Sequence, residues 1–482
     1  MRDLGDLQRN RLLLRILFLL LALTVTSCSV QKRSVRPPVA VPDTFSKTGS
    51  IPMTEKWWLA FNDDNLNNLM EGALSGNLNI RGTWDRLEQA RAIAGKSGAA
   101  IFPSLEGSAG ASRTVNKISG AEKTYSSIFS LGLAASYELD LWGRVRSAKN
   151  AAELDVLASQ EDLYASVISL TAEVASVWYR LAEQRGQIKL LNRQIKTNEK
   201  YLDLVTFKFR GAQVPVTDVL QQRQSLESTR AEKIIAESNR IILEHQLATL
   251  LGKTTESIVI PEKSELPMLL PLPDTGLPAE LIKRRPDIRM AYFRAQAADQ
   301  RLTAAISERF PRISLSAGIE TNAGEINNLF KNWLSNLTGN LIAPLIDGGR
   351  RASEVDRTEA VYSELIHVYG QVVLKSLREV EDALAQESHQ HRLLESLNKQ
   401  LALSKTSSDQ AREKYIHGSM DFLRFLTSIL AHQGLERGKL KSQRELIDYR
   451  INLYRALAGG WGMKPPPKTI HYILKSQEKE KK

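Results

Sequence analysis

The sequence predicts a mixed α and β membrane protein in which one structural unit occurs twice. Three observations lead there. Four segments of about ten residues alternate apolar with small or polar side chains. Two stretches without proline run as helix for about seventy residues each. The whole order of elements then recurs after about 207 residues.

The N-terminus carries an address. Arg2, Arg9, Arg11 and Arg15 precede the apolar run Ile16 to Val25, which is followed by Thr26-Ser27-Cys28. A charged start, a short apolar core and small residues before the cut make a secretory signal. The run is too short to cross ~30 Å of hydrocarbon as a helix. Cys28 is the only cysteine, so an intrachain disulfide and a multi-cysteine metal site are both excluded. It follows Thr26-Ser27 as the cysteine of a bacterial lipobox would. That resemblance implies removal of 1–27 and acylation of Cys28, and Ser29 in place of Asp favours the outer membrane. The other reading is an unmodified thiol behind an ordinary signal. Residues 28–54, with Pro37, Pro38 and Pro42, are expected to form a tether.

The duplication shows in four places. Ile101-Phe102-Pro103-Ser104 returns as Arg309-Phe310-Pro311-Arg312, and Asp140-Leu141-Trp142-Gly143-Arg144 as Asp347-Gly348-Gly349-Arg350. Lys208-Phe209-Arg210-Gly211 returns as Lys414-Tyr415-Ile416-His417-Gly418, and Leu250-Leu251-Gly252 as Leu457-Ala458-Gly459. The period far exceeds that of a solenoid, so these are two copies of one unit. They are expected over 55–252 and 279–462, joined by a proline-rich linker at 253–278 and followed by a polar basic tail at 463–482.

Each copy predicts the same elements. An amphipathic helix comes first, over about 65–100 and again over 279–309, the second interrupted at Arg285-Pro286-Asp287. Two strands follow. A long helix then covers 141–208 in one copy and 348–415 in the other. Glycine breaks at Gly211 and Gly418 lead into returning helices at 217–251 and 421–458. Within the long stretches Leu377, Val380 and Leu384, then Leu394, Leu397 and Leu401, recur at coiled-coil spacing. About 68 residues at 1.5 Å each give a rod of about 100 Å, longer than any globular core needs.

The strands are expected at 104–113, 127–138, 312–321 and 334–344. In the second, Phe129, Leu131, Leu133, Ala135 and Tyr137 alternate with Ser130, Gly132, Ala134 and Ser136. In the third, Ile313, Leu315, Ala317 and Ile319 alternate with Ser314, Ser316, Gly318 and Glu320. One greasy face and one wet face over about ten residues suit a transmembrane strand beside water, although a half-buried soluble sheet shows the same alternation. Four strands cannot close a barrel, for which about eight is the practical minimum. Open edges are not tolerated in lipid. Several chains must therefore pool their strands.

In this order, and twice over, the motifs resemble the TolC-like outer-membrane efflux family, in its lipoprotein branch serving tripartite pumps of the RND type. The resemblance covers about 55–462. It rests on Trp57-Trp58 with Phe61, Asp63 and Leu66; on Asn77-Leu78-Asn79; on Arg285-Pro286-Asp287-Ile288; on the two Phe-Pro and Asp-to-Gly corners; and on Leu453 to Trp461. It implies a homotrimer with a twelve-stranded transmembrane barrel and a periplasmic coiled-coil tunnel, the linker and chain ends forming a belt around the tunnel. It also implies a periplasmic adaptor and an inner-membrane pump as partners, no cofactor and no catalysis. The exported substrates would be small molecules such as drugs or toxic compounds. A protein-secretion duct of the same fold and a purely structural coiled-coil lipoprotein are the alternatives.

Pro103 and Pro311 stand where a helix hands over to a strand. Asp140 and Asp347 stand where a strand hands over to a long helix, whose first amides an Asp can cap. Gly143 and Gly349 give these corners backbone freedom. All six are expected to serve the fold. In the family the closure lies at the periplasmic tip, so Gly211 and Gly418 mark the turns that would meet the adaptor. Asp218, Asp421 and Arg424, just beyond them, are the aperture candidates. A ring of carboxylates there would favour cations. Asp421 matches an acidic position of the family's tip, whereas Arg424 departs from the second one and, three residues on along the same face, is placed to pair with Asp421 or with a neighbour.

Other signals carry nothing. Gly252-Lys253-Thr254 resembles the end of a phosphate loop, but Leu247 stands where the first glycine belongs. His389 and His391, two apart on a helix, face different ways. The net charge of +11, from 65 basic and 54 acidic residues, is spread among acids along the helices, which argues against nucleic acid.

Overall fold

The computed structural model describes residues 35–54, 56–257 and 259–457. Cys28, the signal 1–27 and the tail 463–482 lie outside them. Eight α-helices stand among the described residues: α1 (Asp64–Gly76), α2 (Leu78–Ala99), α3 (Arg144–Arg210), α4 (Val216–Leu250), α5 (Pro278–Arg284), α6 (Pro286–Ser307), α7 (Arg350–Ile416) and α8 (Phe422–Leu457). The four strands are β1 (Ser104–Asn116), β2 (Thr124–Leu139), β3 (Arg312–Ala323) and β4 (Leu334–Ile342). The chain divides into two compact units. Among the described residues, one comprises 35–38 with 88–159 and 291–370; the other comprises 39–87, 160–290 and 371–457.

The first unit holds the sheet. Its four strands are antiparallel in the order β1-β2-β3-β4. Each repeat contributes one hairpin. The seam between repeats is the β2–β3 pairing, from Phe129 opposite Ala323 to Leu139 opposite Ile313. β2 begins at Thr124, three residues earlier than the alternation predicts. There Thr124 and Tyr125 pair with Asn116 and Val115, so the ladder extends past the apolar run.

The second unit is helical. Trp57, Trp58, Phe61, Leu66 and Met70 are buried, together with Trp178, Tyr179 and Leu181 of α3. Trp57 stacks on Tyr454 of α8 at 5.4 Å, and Phe61 meets Tyr179 at 5.3 Å. Leu377, Val380 and Leu384 are buried, whereas Leu394, Leu397 and Leu401 of the same stripe remain half-exposed.

Two helix boundaries differ from expectation. The helix predicted over 65–100 is two helices broken at Asn77. The Asn77 Oδ1 accepts from the Ile80 N–H at 3.1 Å and so caps α2, while its Nδ2 donates to the Leu250 carbonyl at 2.9 Å. A side chain that binds its own backbone competes with helix continuation. Pro278, expected inside the non-helical linker, opens α5 instead. At a first helical position its missing N–H is no loss. The long helices α3 and α7 each hold 67 residues.

Candidate functional site

The register of the sheet sorts its side chains into two faces. Leu105, Ala135, Ala317 and Leu337 stand in one row across all four strands, and Gly107, Leu133, Ile319 and Ser335 in the next row on that side. The alternate rows carry Glu106, Ala134, Gly318 and Asn336, then Ser108, Gly132 and Glu320, with Leu334 of β4 as the one large apolar residue in them. One face is thus apolar and the other small and polar. The apolar face is open: Leu105 is 71% exposed and Leu337 82% exposed. β1 and β4 each pair on one side only, so both edges of the sheet are free.

The corners hold the sheet against the helices that leave it. Asp140 accepts from the N–H groups of Val145 and Arg146, both at 2.9 Å, and so caps α3 from four residues before its start. Gly143, at φ +80°, makes the turn that brings the carboxylate back to those amides. Asp347 does the same for α7, accepting from Gly349 N–H at 3.2 Å and Arg351 N–H at 3.3 Å. Gly349 likewise has positive φ, at +84°. Pro103 and Pro311 each directly precede a strand, β1 and β3 respectively. Trp142 of the first corner donates to the Pro311 carbonyl at 2.7 Å and stacks on Phe310 at 4.9 Å. Four of the six predicted corner residues therefore sit at the two strand-to-helix joints, and Pro311 ties the start of β3 to the first of them; Pro103 only marks its boundary.

The two helical turns share one geometry. At the first, the N–H groups of Ala212 and Gln213 donate to the carbonyls of Phe209 and Lys208. At the second, those of Gly418 and Ser419 donate to Tyr415 and Lys414. These are paired Schellman closures, in which one residue adopts the left-handed conformation. That residue is Ala212 (φ +51°) in the first turn and Gly418 (φ +75°) in the second. The sequence pairs Gly211 with Gly418; the structure pairs Ala212 with it, a shift of 206 (418 − 212). Gly211 lies in the turn but not at its left-handed position. The motif Lys-Phe-Arg-Gly is one residue shorter than its counterpart, so matching glycine to glycine misplaces the register.

The corrected register changes the reading of the charges. Asp218 becomes the mate of Arg424 (424 − 218 = 206), and Asp421 the mate of Pro215. Asp421 N-caps α8, accepting from the Arg424 N–H at 2.9 Å. Its other oxygen lies 3.4 Å from the Arg424 guanidinium. Pro215 offers no side-chain cap to α4. Desolvation pushes the Asp218 carboxyl above the usual carboxylate range; a hydrogen bond from Thr217 partly offsets this, and the Asp421 charge adds to the rise. The structure thus brings all three predicted aperture residues into one charged group.

Beneath them is an apolar cluster drawn from all four long helices: Val205, Val219, Ala411, Tyr415, Phe422, Phe425, Leu426 and Ile429. Tyr415 and Phe425 stack at 4.8 Å. Burial, with the Asp218 charge, pushes the Tyr415 phenol up to about 12.

A family model described as outer membrane efflux protein matches residues 69–253 and again 277–459. The chain belongs to the outer membrane efflux protein family. The double match coincides with the two copies that each supply a hairpin and a helical pair. OprJ, an outer membrane protein of Pseudomonas aeruginosa, is 30% identical over 461 residues, covering 92% of this chain and 95% of its own. The pyoverdine export outer membrane protein OpmQ of the same organism is 28% identical over 414 residues, covering 84% and 87%. The solved outer-membrane channel OprN superposes with a TM-score of 0.83 at 27% identity, over 90% of this chain and all of that one. As a member of this family, the protein is an outer-membrane efflux channel with a β domain and a helical tunnel domain.

Two polar hubs in this efflux protein escaped the sequence. Asp63 is buried and accepts from Trp178 Nε1 at 2.9 Å, Tyr179 OH at 3.3 Å and Lys263 Nζ at 2.6 Å. Burial alone would raise its carboxyl, but Lys263, Trp178 and the Leu66 amide outweigh it and hold the group below the usual range. The second hub is the buried pair Arg450–Glu387 at 2.5 Å, whose guanidinium also donates to the carbonyls of Leu270 and Pro271. Both hubs tie the long helices to the linker. A charged residue on an amphipathic helix gives no sign of its burial until the linker is placed. Gly252, set aside in the sequence as a phosphate-loop residue, is the left-handed C-terminal residue after α4 (φ +67°). Among the described residues, no helix is long and apolar enough to cross a membrane, and no group of three or more metal-ligating side chains occurs.

Proposed function

We propose that the chain is the outer-membrane duct of a tripartite efflux assembly, built from three copies and lipid-anchored through Cys28. The observation that carries the reading is the sheet: an exposed apolar face, a small polar face and two free edges in one chain. Lipid satisfies the first, water the second and neighbouring copies the third. Three copies of four strands give a twelve-stranded barrel with no edge, above the ~8 strands that closure requires. The polar face then lines a wet lumen. Passage is passive, and no residue is assigned a catalytic step.

The domain plan follows the expected boundaries, with repeats at 55–252 and 279–462 around the linker at 253–278. At the tip, the turns at Gly211 and Gly418 present the surface for a periplasmic adaptor, which connects to an inner-membrane pump. Asp218, Asp421 and Arg424 border the aperture. With Arg424 beside Asp421, each copy leaves one uncompensated carboxylate there, a weaker cation preference than a purely acidic ring would give. The pyoverdine-exporting relative OpmQ supports small-molecule cargo. Acyl chains on Cys28 would hold the outer end at the membrane more firmly than a single chain.

The test is reconstitution of the full chain in planar bilayers. Stepwise conductance is expected, with cation selectivity that rises in Arg424→Asp. Absence of any conductance in the full chain and in a tip variant such as Asp218→Ala with Asp421→Ala would overturn the duct.

A further inference from the structure

At the tip, the first long helix reaches over the second. The Lys208 ammonium donates to the carbonyls of Tyr415 at 2.9 Å, which also accepts from the Gly418 N–H, and Ile416 at 3.2 Å, the last two of α7. It also stands 4.8 Å from the centroid of the Tyr415 ring. One lysine therefore caps a helix C-terminus and covers an aromatic face.

The register of 206 gives each partner of this contact a mate in the other repeat. Lys208 maps on Lys414, and Tyr415 maps on Phe209 (415 − 209 = 206). The mates are not in contact with each other by any bond the structure shows. Lys414 is exposed, with no hydrogen-bond or ion-pair partner for its ammonium among the described residues. Phe209 is 41% exposed, whereas Tyr415 is 2% exposed. The helix after each turn repeats the imbalance: Leu426 is 8% exposed and its mate Leu220 is 55% exposed. The same constellation thus occurs twice in one chain, complete once and unpartnered once. An exposed aromatic and an exposed leucine at the same end mark a surface that is covered in use.

We propose that Lys414 of each copy lies across Phe209 of the next copy and caps the C-terminus of its α3. The contact between chains then repeats the one that Lys208 and Tyr415 make within a chain. The occupant is a second copy because this chain itself carries the matching half, a lysine one residue before an aromatic at the C-terminal end of a long helix. Around three copies, internal and external contacts alternate, and the tip becomes a ring of six. The inference rests on the trimeric reading and adds its register at the tip.

Crosslinking in intact membranes tests it, using the full chain and a short bis-maleimide. Phe209→Cys and Lys414→Cys are placed on separate copies expressed together, and also combined on one chain. The expected result is a covalent dimer from the mixed copies and a ladder up to three chains from the combined variant. Lys208→Cys with Tyr415→Cys calibrates the reach and is expected to crosslink within one chain, without a ladder. The parent, with Cys28 alone, controls for background. All ladder positions are at exposed sites, so folding is retained. A calibrating crosslink without a ladder, in protein that still runs as three copies by mass, overturns the inference and leaves the trimer standing. Protein that is monomeric by mass overturns both.

Discussion

The linker hubs and the tip use the same residue types to opposite ends. Around the linker, Asp63 and the Arg450–Glu387 pair are buried, and each charge has several partners. At the tip, the Arg424–Asp421 pair is exposed on both sides, 80% and 58%. A buried charge that loses its partner is strongly destabilising, whereas an exposed pair contributes little to stability. The difference teaches where the chain fixes its shape and where it can change. The linker region is over-determined by buried charged bonds, whereas the charges at the tip, above a buried apolar cluster, meet in exposed contacts weak enough to exchange.

The largest effect expected from this contrast is at Arg450. Arg450→Met leaves the buried Glu387 with only the exposed His391 ring, 3.8 Å away, and should destabilise by about 3–5 kcal/mol. Replacing Glu387 by Met as well should restore most of that loss, as read by chaotrope unfolding in detergent. A loss under about 1 kcal/mol in the single variant, the scale of an exposed pair, would erase the distinction between the two regions.

Acid separates the regions by sign. Asp63 titrates below its ordinary value, so its stabilisation is present above pH ~4 and is lost as pH falls through the lowered value. Asp218 titrates above its ordinary value, so the folded state holds that proton more tightly. Its carboxylate therefore opposes folding as pH rises through the raised value. Asp63→Asn should flatten the acid limb of the unfolding profile. Asp218→Asn should be more stable than the parent at neutral pH, with the difference vanishing in acid. Melting curves across pH check both, and parallel shifts of the two variants would contradict the assignment.

The two turns offer a smaller test. Asp421→Ala removes a helix cap and should cost about 1 kcal/mol, while Pro215→Ala, at a position with no side-chain cap, should cost far less. Ala212→Gly should gain about 1 kcal/mol by relieving a left-handed alanine, and Gly418→Ala should lose as much. The smallest stability effect is expected at Arg424, where Arg424→Ala should change melting by no more than about 0.5 kcal/mol yet increase cation selectivity in bilayers. A large stability loss there would mean that the tip is built like the linker hubs.

Much of this was legible in the sequence because it depends on period. The period-2 faces of Leu131, Leu133, Ile313 and Leu315 set the strands, and the spacing of Leu377, Val380 and Leu384 set the helix that buries them. The caps at Asp140 and Asp347 followed from residue type at a boundary. What failed depended on contacts across the chain. Asn77 breaks a helix because the Leu250 carbonyl is there to receive its amide, and nothing local says so. Ala212 takes the left-handed position beside an available glycine, because the closure is set by where α3 ends. The charged group at the tip and its Asp421–Arg424 pair were legible from residue type and spacing, but matching Asp218 and Asp421 to their mates in the other repeat needed the register of 206 that the backbone fixes.

The claim beneath the duct is that one chain's four strands are a third of a closed wall. Native mass spectrometry of the mature protein, released from detergent with its β signal intact, measures this directly. Three chains per particle is the result expected. A single chain that keeps a stable four-stranded sheet would contradict the account.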